Sequence, residues 1–244
     1  MRNIGIIFRR ELGAYFATPL AYVFILIFLV LAAWFAFYLG GLFERGQADL
    51  EPFFLFHPWL YLFLIPALSM RLWSDERRSG SIELLMTQPI TLWQAVFGKF
   101  LAAWACAGLA LALTFPIWIT VNYLGHPDNG AIVTAYLGSL LMAGGLLAVG
   151  SCMSALSRNV VVAFILGVIA CFGLLLAGLP MVLDAFRGWA APGVVDAVAS
   201  LSFLTHFESM AKGVVDLRDV VFFGLTMACF LAASAVLLDM HQSH

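Results

Sequence analysis

Six apolar runs without a single Asp, Glu, Lys or Arg decide what this chain can become: residues 20–43, 52–70, 100–125, 129–157, 159–183 and 220–238. Each is near or beyond the roughly 18 residues that mark a transmembrane helix. A helix that is apolar all round must be enclosed by protein or lipid. Nothing in the composition supplies a polar shell, because 63% of the residues are hydrophobic and 11% charged, against roughly 25% charged in soluble domains. The chain reads as an all-α membrane protein, one transmembrane domain over residues 1–244 with no room for a separate soluble unit.

The second run holds Pro58 and Pro66, so a kinked or broken helix is expected there. Arg2, Arg9 and Arg10 precede the first run, which is too long for a signal-peptide core and reads as a membrane span. With the N-terminus inside, eight of the twelve Lys and Arg residues fall on inner segments (Arg2, Arg9, Arg10, Arg71, Arg77, Arg78, Lys99 and Arg158) and four on outer ones. The positive-inside rule therefore places both termini in the cytoplasm. In residues 1–17, Ile4, Ile7, Phe8, Leu12 and Tyr15 recur at helical spacing away from the arginines, which suits a helix lying in the interface before Pro19. An extension of the first span into the headgroups is the alternative.

Two connections carry more than a turn. The segment before the last run is too long for a simple link and is apolar at Val194, Val195, Val198, Leu201, Phe203 and Leu204. Two short helices entering the membrane over residues 194–213 are expected, with a capping box starting at Thr205 and Gly213 ending the second. The other connection is the charged island of residues 71–89, between the second and third runs. Ser79-Gly80-Ser81 offers caps for a helix whose apolar side is Ile82, Leu85 and Met86 and which stops near Thr87, ahead of Pro89. Thr91 and Gln94 form a capping box for the next helix, and Trp73, Trp93 and Lys99 suit the headgroup zone. Held between two anchors, this short helix is a lever. Arg77 and Arg78 alone would serve as topology signals, but orientation does not need Asp75, Glu76 and Glu83.

The string Ser74-Asp75-Glu76-Arg77-Arg78-Ser79-Gly80-Ser81-Ile82-Glu83-Leu84-Leu85-Met86-Thr87-Gln88-Pro89-Ile90, with Gly98-Lys99 downstream, resembles the signature of ABC-2 type exporter permeases. Ser81 stands where Thr is commoner. Residues 207–220 resemble the outer segment of the gliding-motility-associated branch. The resemblance implies a bacterial inner-membrane permease that meets a second copy, or a homologous permease, in the membrane. ABC ATPase subunits carrying ATP and Mg would dock beneath. It implies a coupling helix over residues 75–87, with Asp75, Glu76, Arg77, Arg78, Ser81, Glu83, Leu84 and Leu85 facing the ATPase. It also implies an outer gate at Phe203, Phe207 and Glu208. Trp34 and Phe35 on the first span, and the outer end of the fifth, are dimer-face candidates on the same ground. Membrane lipid and a further membrane or periplasmic subunit complete the expected partners.

No phosphate loop occurs, since Gly98-Lys99-Phe100 lacks both spacing and hydroxyl, so a cofactor of ATP chemistry must sit on another chain. No basic tract suggests nucleic acid. The histidines are scattered, and Cys106, Cys152, Cys171 and Cys229 fall in different runs, so neither a metal set nor a disulfide is expected. Gly150-Ser151 superficially resembles an intramembrane hydrolase serine, but the last run has no histidine base. Gly144, Ala148 and Cys152, and Ala163, Gly167 and Cys171, read better as close helix contacts. An ion-coupled carrier would place ionisable groups inside the membrane, and the runs hold only His57, near one end. No catalytic residue is therefore expected, and the transported species would be apolar or amphipathic.

Overall fold

The structure, a computed structural model, describes residues 2–81, 90–187 and 192–240. Among them there are helices and no strands. Helix α1 (Arg2–Ala17) stops at Thr18, which is extended, and Pro19 opens α2 (Pro19–Trp34). The first segment is thus a helix of its own rather than a prolongation of the next. Five residues of π-helix (Phe35–Leu39) continue α2 and widen its last turn.

Prolines then set the boundaries. Pro52 and Pro58 sit in the first turns of α3 (Glu51–Leu55) and α4 (His57–Ser69), where their missing N–H costs nothing. Pro66 lies inside α4, which ends one turn later, and α5 (Arg71–Ser79) follows after Met70 alone. Thr91 caps α6 (Leu92–Ala112) through the expected box with Gln94. Pro116 restarts the chain as α7 (Phe115–Leu124). Asp128 caps α8 (Asn129–Leu156), Asn159 caps α9 (Val160–Leu176), and Pro180 opens α10 (Pro180–Arg187). Helices α11 (Pro192–Ser200), α12 (Phe203–Ala211) and α13 (Leu217–Met240) complete the order.

The six expected spans resolve unequally, and the break expected in the second is present. Among the described residues, four helical stretches are long and apolar enough to cross a membrane: Pro19–Leu39, Leu92–Leu124, Asn129–Leu156 and Leu217–Met240. Helix α9 has 17 residues, because Pro180 ends helical continuity short of residue 183. The run at residues 52–70 is divided between α3 and α4. The cap of α12 is Ser202, whose Oγ accepts from Thr205 N, so Thr205 belongs inside the helix it was expected to start.

Helix α8 is the hub, packing against α4, α5, α6, α9, α12 and α13. At 28 residues it is ~42 Å long and traverses the bundle. Small residues let its neighbours close in. A Cβ at Gly150 would lie 2.0 Å from Ser69 Oγ on α4, and one at Gly145 would lie 2.6 Å from Phe203 Cε1 on α12. Ala163, Gly167 and Cys171 are all buried on α9, and Cys171 Sγ–H points at Leu146 O of α8. In a lipid setting, where apolar burial gives helices no preference for each other, such close backbone packing is what holds them.

Candidate coupling site

At one end of the bundle α1, α5, α6 and α8 converge. Helix α5 is amphipathic: Leu72, Trp73 and Ser74 are buried, whereas Arg71, Asp75, Arg78 and Ser79 are exposed. At the start of α5, where N–H groups need partners from outside the helix, those of Trp73 and Ser74 turn to α8. Ser154 Oγ of α8 accepts from Trp73 N at 3.1 Å and Ser74 N at 3.2 Å, and donates to Met70 O at 2.8 Å. One hydroxyl from a neighbouring helix thereby holds the first turn of α5. Beside it, Trp73 Nε1 donates to Ser151 Oγ at 3.1 Å. That contact gives Ser151 a structural occupation, in line with its reading as a packing hydroxyl.

Arg77 points the same way. Its Nη1 donates to Ala155 O in the last turn of α8, where carbonyls lack helical donors and a cation meets the negative end of the dipole. Burial first, and then the Arg158 charge, lower the Arg77 pKa from its ordinary guanidinium value. The exposed face of α5 carries different charges. Arg71 Nε lies 4.0 Å from Asp75 Oδ2, and Arg78 makes no ion pair with any described residue.

Lys99 closes the junction from α6. Only 3% exposed, its Nζ donates to Leu72 O at 2.9 Å and Glu76 Oε1 at 2.7 Å. It lies 3.9 Å from Glu11 Oε2 on α1 and 4.9 Å from the Trp73 ring centroid. Three helices therefore share one ammonium. Gly98 gives the motif its other half, since a Cβ there would come 2.6 Å from Ile7 Cγ2 and force α1 away from α6. Nearby, Asn3 Nδ2 donates to Gln94 Oε1 at 3.2 Å and Tyr15 OH to Leu68 O at 3.1 Å, so α1 is tied along its length.

The eight residues expected to face an ATPase are thus divided. Asp75 and Arg78 are exposed, and Ser81 Oγ contacts Ser79 Oγ at 2.9 Å beyond the helix end. Glu76 and Arg77 turn inward. Glu83, Leu84 and Leu85 lie outside the described residues. Of the helix expected over residues 75–87, residues 75–79 end α5 and Gly80 takes the left-handed conformation at φ 71°, whereas residues 82–87 lie outside the described residues. Trp73 and Lys99 are enclosed by neighbouring helices rather than facing outward. Trp73 is fully buried, and of the three residues expected in the headgroup zone only Trp93 is exposed. The i, i+4 pairs Leu72–Glu76 and Trp73–Arg77 carry the inward face of α5, a pattern visible in the sequence once the helix start is moved to Arg71.

At the opposite end, α12 lies against α8. Phe203 is wholly buried against Phe222 and Phe223, with ring centroids 5.4 and 5.5 Å apart. Phe207 and Glu208 line a cavity of about 220 Å³ shared with Glu51, Phe54 and Lys212. Phe207 and Glu208 are therefore brought together at one opening, while Phe203 anchors the helix behind it. His206 Nδ1 is 2.6 Å from Asp219 Oδ1, its Nε2 donates to Ser200 O at 3.1 Å, and its ring stacks on Phe222. No spacing rule pairs residues 206 and 219, so this tie was invisible in the sequence.

One further pair was missed. His57 Nδ1 and Tyr61 OH each lie 2.8 Å from Ser139 Oγ. A serine beside a histidine has the composition of a nucleophile and base, but both are fully buried, and Phe28, Phe53 and Phe54 pack on the imidazole. The cluster ties α4 to α8. Among the described residues, no group of three His, Cys, Asp or Glu side chains is arranged to hold a metal ion.

A helical hub in an apolar bundle, with a short charged helix bonded to it at one end, is the frame on which the family comparison bears. Residues 52–240 match the family described as ABC-2 family transporter protein. The chain belongs to that family. No curated protein matches it. Membership makes it a multi-pass membrane permease of an ABC transporter, and the family implies an ABC ATPase as partner. The matched residues include α5, Lys99 and the whole of α8, so most of the junction lies within the family domain, and only α1 with Glu11 precedes it.

Proposed function

We propose that this chain is the transmembrane subunit through which a separate ATPase drives export, or transmits force, across a bacterial inner membrane. ATP and Mg belong to the ATPase chain. The permease acts as a homodimer or with a homologous permease, in the gliding-motility-associated branch that residues 207–220 resemble. Six crossings fit the bundle when α3 with α4, and α9, are counted beside the four long stretches. The α1 end is cytoplasmic, because Arg2, Arg9, Arg10, Arg71, Arg77, Arg78, Lys99 and Arg158 all belong to it.

One observation carries this reading: α5 is bonded to the hub rather than hung from it. A push on its exposed face at Asp75 and Arg78 is delivered through Ser154, Arg77 and Lys99 to α8, α6 and α1 together. A partner shifts such a lever only by binding its two positions with different free energies, which the exposed charges provide for. The charge-free runs favour an apolar or amphipathic cargo moving along helix surfaces. Residues 194–213, with Phe203, Phe207 and Glu208, would close the exit side.

The test is co-purification from native membranes with the chain tagged. Reversing both charges, Arg78→Glu with Glu83→Arg, is expected to remove the ATPase from the complex while the permease still inserts. Undiminished ATPase recovery from the double variant would place the contact elsewhere.

A further inference from the structure

Between α1 and α6 lies a cavity of about 450 Å³, lined by Ile4, Gly5, Phe8, Leu101, Trp104 and Gly108, with Ala105 and Leu140 behind. Its volume is in the range of ligand pockets, roughly 300–1,000 Å³. The lining presents almost no polar atom. The one side-chain donor among these residues, Trp104 Nε1, is already given to Leu140 O at 2.9 Å. Two glycines keep the space open: a Cβ at Gly5 would meet nothing within 4 Å, and one at Gly108 only Leu140 Cδ1 at 3.3 Å. From Leu101 to Gly108 the cavity follows α6 for about 10 Å along the helix axis. Such a groove suits a hydrocarbon chain and gives a polar solute nothing to bond.

The helix that walls the groove carries an exposed cation nearby. Arg9 lies one turn beyond Gly5, at the edge of the apolar side of α1, exposed and in no ion pair with a described residue. Arg10, on the other side, is taken by Glu11 at 2.7 Å. An apolar slot with an exposed guanidinium one turn away on the same helix is complementary to an anionic headgroup with its acyl chain in the slot. We propose that this groove is a binding site for an anionic phospholipid, which rests against α1 and thereby against the Glu11–Lys99–Glu76 junction.

The test is native mass spectrometry of the purified full chain equilibrated with equal amounts of phosphatidylglycerol and phosphatidylcholine of identical acyl chains. Wild type should retain phosphatidylglycerol about fivefold over phosphatidylcholine, the size expected of one basic residue near an anionic surface. Arg9→Gln should bring that ratio close to one, and Arg10→Gln should leave it unchanged. Gly5→Leu, which has open space for its side chain, should lower retention of both lipids. Equal retention of the two lipids by wild type, or an unaltered preference in Arg9→Gln, would overturn the proposal. Because Arg9→Gln changes only an exposed charge, the test survives a failure of Gly5→Leu to fold.

Discussion

Lys99 is the side chain on which the inner junction depends. A buried ammonium is tolerated only when paired and hydrogen-bonded, and removing one partner of such a set leaves an uncompensated charge. Lys99→Met should therefore destabilise the chain in detergent by about 3 kcal/mol, because Glu76 loses its 2.7 Å partner and Leu72 O its donor. Adding Glu76→Gln to that variant should recover part of the loss, since it removes the orphaned carboxylate. A double variant no more stable than Lys99→Met in thermal unfolding would mean that the pair is not coupled. Glu76, Arg77 and Lys99 were legible in the sequence as charged residues beside a membrane span, but their directions were not. A basic residue at a span end fits the headgroups by default, and only the tertiary placement of α5 against α8 turns Arg77 and Lys99 inward. Ser154 gave no signal at all, because a serine among small residues reads as packing until its neighbours expose unpaired N–H groups.

Among the elements, α1 and α6 show how one small residue sets a distance. A Cβ at Gly98 would stand 2.6 Å from Ile7, so Gly98→Leu should lever α1 off α6 at a cost of about 1–3 kcal/mol. Hydrogen exchange across Arg2–Ala17 should quicken in that variant; unchanged protection would show that α1 is held by other contacts. The expected elements were largely readable where physics is local. Prolines and caps announced the breaks near residue 58 and the start of α6, and charge-free runs announced the long helices. The split of the fifth run at Pro180 and the end of α5 at Gly80 needed more. At Pro180 apolar continuity argued for one element and the proline divided it; at Gly80 the cap-rich Ser79-Gly80-Ser81 marked a boundary, but not that α5 would start as early as Arg71 and end there.

The molecule as a whole is a bundle with two unlike ends joined by α8. One end binds a short charged helix to the hub through Ser151, Ser154 and Ala155; the other seats α12 on the same helix through Gly138 and Gly145. Interiors packed this closely move as units rather than deform, so displacement of α5 should reach α12 without a flexible intermediary. In the proposed function, the exposed face of α5 meets an ATPase. Photo-cross-linking in native membranes tests it most directly, with a benzophenone amino acid placed in turn at Arg78 and, at the opposite end, at Lys212. The account predicts an adduct with an ATPase carrying a phosphate loop from position 78 and none from position 212. An ATPase adduct from position 212 alone, or from neither, would contradict it.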